Sequence, residues 1–321
     1  MLRYLGQRVL AFVPTLFGVS LLVFIAIRLV PGDAIIAMLG TEAGMLTQAQ
    51  RAALLEYFGL DKPAPEQYVI WLANALQGDL GYSVRHGAPV LSVILQRFPV
   101  TLELAIFAMV IALAMGMPIG VLSAIRHNSM IDLTGRLFAL VGLAMPNFLL
   151  GTLIIYGLSV YFGILPNSGD YVEFSEAPLQ NLQQLIFPAI TLGTAFAASV
   201  MRTTRSAVLE VLGEDYVRTA RSKGLRERTV IARHTLRNAL IPVVTLAGVE
   251  MGYLLGGAVV VEEIFSLPGI GRLALNAISQ RDYALVQGIA LFVAFNFVFI
   301  NLIVDLLYAA IDPRIAYVSK D

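Results

Sequence analysis

Seven lysines and arginines, one histidine and three acids fall between Glu214 and Asn238, in EDYVRTARSKGLRERTVIARHTLRN. The surrounding chain is 58% hydrophobic, with a mean hydropathy of +0.77. Leu225, Val230, Ile231 and Leu236 are interspersed among the charges and Gly224 can interrupt a helix, so the segment reads as helix, turn, helix. A basic amphipathic segment of this kind can hold anionic lipid, bind nucleic acid, or dock an apolar stripe with charged flanks into a cleft on another protein. Nothing else supports nucleic acid: 22 Lys plus Arg balance 22 Asp plus Glu, and no aromatic stacking surface accompanies the charge.

Two further sets of chemistry-bearing residues stand out. Glu250 sits midway along an apolar stretch, and Glu262 and Glu263 precede the turn-forming Pro268, Gly269 and Gly271. Other chemistries are missing from the sequence. No cysteine is present to make a disulfide, a thiolate or a Cys-ligated metal site, and His86, His127 and His234 have no metal-ligand spacing. No GxxxxGK[ST] loop is present to bind ATP, and the acids and hydroxyls form no recognisable catalytic set. The chain by itself is therefore expected to be non-catalytic and to bind no cofactor of its own.

A charged fraction of 14% at this hydropathy points to a membrane protein, whose elements must be helices of about 20 apolar residues. Six stretches qualify: 9–27, then approximately 100–125, 137–162, 182–205, 238–261 and 283–309. The first has the positive flank of a secretory signal, but its apolar run is long and no small-x-small cleavage site follows, so it reads as an uncleaved first span. Placing the N-terminus in the cytoplasm puts fifteen of the 22 Lys and Arg residues inside, which favours both termini inside.

The expected fold is thus an all-α polytopic membrane protein of six transmembrane helices, with an extracytoplasmic helical insert and a cytoplasmic coupling segment. Its units are a first span (1–30), the insert (31–98), five further helices (99–310) and a tail (311–321). The insert holds two short helices, one starting at a Thr47 cap and the other following Pro63 and Pro65. It serves either as a packing platform or as a contact for a soluble partner. Gly and Pro recur inside the spans, as in MGMPIG at 115–120, GLAMPNF at 142–148, Pro188 and Pro242, where close helix packing is the default explanation. A charge at mid-membrane costs about 2.5–3.5 kcal/mol on insertion scales, so Glu250 either lines a substrate path or is paired or protonated against another helix.

The basic stretch EDYVRTARSKGLRERTVIARHTLRNALIPVV resembles the cytoplasmic coupling region of the inner-membrane permeases of bacterial ATP-driven importers, in the dipeptide, oligopeptide, glutathione and nickel family. The resemblance covers nearly the whole chain: GQRVL, LVPGD at 29–33, GDLGYS at 78–83, LLGGAVVVEEIFSLPGIGRL, RDYALVQG and NLIVDLLYAAIDPRI occur in order. Against the general importer signature (Glu-Ala-Ala, three residues, Gly, nine residues, Ile-x-Leu-Pro), Ala220, Gly224 and Leu236 match, while Arg218, Thr219, His234 and Arg237 depart. The form RTA-x-x-KG with H-x-LRNA is typical of the peptide subgroup, which more often carries Gln where this chain has Glu250.

The resemblance implies a permease subunit importing di- or oligopeptides or glutathione across the bacterial inner membrane. Same-class import of nickel or another small solute is one alternative, and a non-transporting scaffold that recruits cytoplasmic proteins is another. It also implies a homologous second permease, two P-loop ATPases carrying ATP and Mg, an extracytoplasmic substrate-binding protein, surrounding lipid and a peptide substrate. Glu214, Asp215, Arg218, Ala220, Lys223, Gly224, Leu225, His234 and Arg237 would couple to the ATPases. Glu250 would lie on the path, and Glu262, Glu263, Pro268, Gly269 and Gly271 in an extracytoplasmic gate or receptor contact.

Overall fold

The computed structural model describes residues 2–29, 46–57, 61–166 and 170–311. The LVPGD motif from 30 onward, and the tail from 312, lie outside the described residues. The helices are α1 (Leu2–Leu29), α2 (Gln48–Tyr57), α3 (Ala64–Leu76), α4 (Val90–Ile125), α5 (Met130–Ala144), α6 (Asn147–Phe162), α7 (Pro178–Leu212), α8 (Asp215–Ser222), α9 (Leu236–Leu255), α10 (Val259–Ile264), α11 (Ile270–Ser279) and α12 (Tyr283–Ile311). A hairpin pairs β1 (Tyr82–Ser83) with β2 (Ala88–Pro89), Tyr82 opposite Pro89.

Among the described residues, α1, α4, α7, α9 with its lead-in turns, and α12 are long and apolar enough to cross a membrane. The stretch expected as the third span, 137–162, is built of two helices, α5 and α6, bent by 97°, and counted as one broken span the pair brings the total to six. Pro146 explains the position of the break: it disfavours helical backbone at Met145, which is extended at ψ 118, and then starts α6 as its N-cap. Pro118, Pro188 and Pro242 remain inside continuous helices.

The core is built on α4 and α7, which run parallel and touch along most of their length. Small residues set that distance. A Cβ on Gly116 would lie 2.6 Å from the Ala197 carbonyl oxygen, and one on Gly193 would lie 2.8 Å from that of Ala108. Helix α9 packs antiparallel to this pair, with Ala239 against Ala124 and Val208, and Leu254 and Leu255 near Val100 and Leu104. Helix α12 packs on α9, and α1 on α12.

This arrangement gives the bundle two unlike ends. One gathers the insert, the hairpin and α10–α11; the other gathers the α4–α5 connection and the basic segment. At the insert end, Thr47 caps α2 reciprocally with Gln50: Thr47 Oγ1 accepts from the Gln50 N–H at 3.3 Å, and Gln50 Oε1 accepts from the Thr47 N–H at 2.9 Å. Helix α3 lies on α1, where the hydroxyls of Ser20 and Tyr68 meet at 2.8 Å and the Arg28 guanidinium sits 3.3 Å from the centre of the Phe24 ring.

Candidate functional site

The basic segment is folded by two local devices. Helix α8 ends in a Schellman motif: Gly224 takes φ +75°, its N–H donates to Arg221 O at 2.9 Å, and the Leu225 N–H donates to Ala220 O at 3.4 Å. One helical turn, Glu227–Thr229, then passes through a π-helical stretch, Val230–Thr235, directly into α9. The Arg221 guanidinium donates to Glu227 across the glycine turn at 2.7 Å, and Asn238 Nδ2 donates to the Tyr216 hydroxyl at 2.7 Å.

Helix α8 therefore has two faces. Val217 and Ala220 are buried with Val230 against Val211 and Leu212, which seats the helix between the end of α7 and the start of α9. Glu214, Asp215, Arg218, Lys223, Gly224, Leu225 and Arg237 are exposed, and His234 is half-buried. Of the expected coupling residues, Ala220 alone is wholly inside: it packs the helix and presents nothing outward.

At the insert end the expected gate residues divide. Glu262 is fully buried. One carboxylate oxygen accepts from Thr101 Oγ1 at 2.8 Å and the other from the Arg272 N–H at 2.9 Å, while Thr101 in turn accepts from the Ile270 N–H at 2.8 Å. The carboxylate thus sits on the first N–H groups of α11 and ties them to α4, where the helix dipole favours negative charge. Burial pushes its pKa up, and the backbone and hydroxyl donors pull it back down. A Cβ on Gly269 would lie 2.4 Å from the Glu262 carboxyl carbon, so glycine there is set by that carboxylate. Pro268 precedes the N-cap Gly269, and Gly271 lies in the first turn of α11 against Val259. Glu263 points outward and pairs with Arg272 at 3.2 Å.

Glu250 is half-buried on α9 between exposed Val249 and half-buried Met251. Among the described residues its carboxylate has no hydrogen-bond or ion-pair partner.

Three polar sets escaped the sequence reading because their members are far apart in the chain. Asp132 is fully buried at the start of α5 and takes a bidentate pair from Arg205 at 2.6 and 2.9 Å, with further donors from Ser123 Oγ at 2.6 Å and the Asn128 N–H at 3.0 Å. Ser83, from GDLGYS, donates to Asp282 of RDYALVQG, and Asp282 caps α12 through the Leu285 N–H at 3.2 Å. These two motifs, separate in sequence, form one joint. Tyr171 donates to Glu103, and Asn181 Nδ2 donates to the same Glu103 oxygen at 2.7 Å. Burial, with Glu103 beside it, pushes the Tyr171 hydroxyl above its ordinary pKa. The one available signal was a polar residue flanked by apolar ones near a span end, which names a candidate but not its partner.

Comparison with known proteins gives a consistent match. Residues 116–317 match the family described as binding-protein-dependent transport system inner membrane component, and residues 1–105 match its N-terminal companion. The dipeptide transport system permease protein DppB of Escherichia coli is 42% identical, covering 99% of each chain. The glutathione transport system permease protein GsiC of Pectobacterium atrosepticum is 44% identical, covering 99% of this chain and 100% of its own. Among solved structures, the inward-facing MetNI methionine ABC transporter aligns with a TM-score of 0.51 at 16% identity, over 69% of this chain and 97% of its own. An amino acid ABC transporter aligns at 0.52 and 18%, over 67% and 92%; at such identities the likeness concerns the fold. With family matches across both parts of its length, this chain belongs to the binding-protein-dependent transport system inner membrane components, the non-catalytic permeases of ATP-driven importers.

Proposed function

We propose that this chain is one of two permease subunits of an inner-membrane importer for di- or oligopeptides or glutathione, with both termini and the basic segment in the cytoplasm. The observation that carries the substrate class is the end-to-end identity of 42–44% to a dipeptide and a glutathione permease. Sidedness rests on the charge bias, since the basic segment and the α4–α5 connection share one end of the bundle. The complete machine would add a homologous permease, two P-loop ATPases and an extracytoplasmic binding protein.

The chain's own part follows from its geometry. Helix α8 is clamped by Val217 and Ala220 to the ends of α7 and α9, so a push on its exposed face reaches two spanning helices without passing through a flexible linker. Closure of the ATPases would supply the push, and the spans would alternate access to a path on the α9 face that carries Glu250. At the other end the Glu262 socket would keep α10 and α11 moving with α4 as a unit.

The test is ATP-dependent uptake of labelled solute by the complete assembly in proteoliposomes, supplied with its cognate binding protein. Accumulation of a dipeptide, a longer peptide or glutathione is expected. No uptake of any of the three, alongside a competent ATPase, would overturn the assignment.

A further inference from the structure

A cavity of about 380 Å³ opens at the insert end of the bundle. Three chain segments wall it: α4 at Gln96 and Arg97, the α6–α7 connection at Asp170, Tyr171 and Glu173, and the α10–α11 connection at Ser266. Its volume is at the small end of ligand sites, which run roughly 300–1,000 Å³. Arg97 is half-buried and, among the described residues, its guanidinium has no hydrogen-bond or ion-pair partner. Asp170 and Glu173 line the same cavity without pairing to it, so among the described residues one wall offers an unpaired cation and another offers carboxylates.

The floor is held in place. Tyr171 is tied to Glu103 and Asn181, and among the described residues the buried Asn181 Oδ1 receives no donor. At the lip, Ser266 holds a left-handed backbone at φ 54°, an uncommon conformation for a residue other than glycine.

We propose that this cavity receives the zwitterionic backbone of a short peptide on its way into the membrane, with Arg97 taking the carboxylate and Asp170 and Glu173 the ammonium group. The inference rests on the peptide-import reading above and adds a substrate site on this chain, separate from the binding protein. Charge-assisted hydrogen bonds of this kind are about twice as strong as neutral ones.

The probe is L-alanyl-L-alanine, measured by saturation-transfer NMR on the complete importer in nanodiscs without its binding protein. The wild type should bind the probe. Arg97→Gln should weaken binding about tenfold, the loss of one charge-assisted contact, while Arg97→Lys retains most of it. The C-amidated probe should bind wild type and Arg97→Gln equally weakly. Asp170→Asn with Glu173→Gln should remove the preference for a free amine over the N-acetylated probe.

Equal binding of dialanine to wild type and Arg97→Gln would overturn the proposal. So would a loss in Arg97→Gln that is the same for the amidated probe. Failure of Arg97→Gln to capture the unliganded binding protein, with dialanine binding intact, would reassign the cavity to receptor docking. If the wild type with its binding protein imports no peptide, the transport reading fails first and this one falls with it.

Discussion

The two ends of the bundle use glycine and charge for opposite purposes. In the α10–α11 segment, Gly269 and Gly271 are glycines because there is no room: a Cβ would meet the Glu262 carboxylate at 2.4 Å or the Val259 backbone at 2.8 Å. In the basic segment, Gly224 has open space around it and is glycine because its φ is +75°. Glu262 is fully buried and satisfied by surrounding donors, whereas Arg218 and Lys223 face outward. One end is locked from inside and the other leaves its charges on the surface, so substitutions at the two ends should fail in different ways.

The largest effect is expected from Glu262→Ala. It leaves the Thr101 hydroxyl and the Arg272 N–H buried without an acceptor, at about 1–3 kcal/mol each, and opens a cavity besides. Unfolding of the detergent-solubilised protein should show a loss of about 3 kcal/mol or more; near-wild-type stability would break the contrast. The charge itself is tested by Glu262→Gln. Because burial raises the folded-state pKa of Glu262, its contribution is fully favourable below the ordinary carboxylate pKa and is lost as pH rises through the folded value. Stability of the wild type relative to Glu262→Gln should therefore increase as pH falls, and a pH-independent difference would remove the case for a perturbed carboxyl.

Gly271→Ala should cost about 1–3 kcal/mol by overpacking against Val259. Gly224→Ala should cost about 1–2 kcal/mol, from left-handed backbone alone, and Gly224→Asn less, because asparagine tolerates that conformation. A reversed order between Asn and Ala would show that something other than φ selects the glycine. The smallest stability effect, within about 0.5 kcal/mol, belongs to Arg218→Ala on the exposed face of α8. Its expected signature is functional: ATP hydrolysis by the assembly continues while uptake falls. Loss of stability with coupling intact would invert the comparison.

The helix-turn-helix at Gly224 was legible because a Schellman cap is local: the glycine and the residues that bond around it lie within six positions. The Thr47 cap was legible for the same reason. The break at Pro146 was half visible. GLAMPNF announced a disturbance, but Pro118, Pro188 and Pro242 have the same local chemistry and sit in unbroken helices, so the neighbours of each proline decide whether the chain turns. Glu262 and Glu263 could not be told apart in the sequence, because adjacent residues differ in burial only once α4 and α11 close over one of them.

By itself the sequence determined that the chain is a multi-helix membrane protein, where its apolar stretches fall, and which family it joins, since hydropathy and ordered motifs accumulate along one dimension. The tertiary structure alone decided which charges are locked and which are offered. Asp132 with Arg205, Ser83 with Asp282, and Glu262 with Thr101 are pairs separated by 73, 199 and 161 residues. Their chemistry exists only where packing brings the helix ends together.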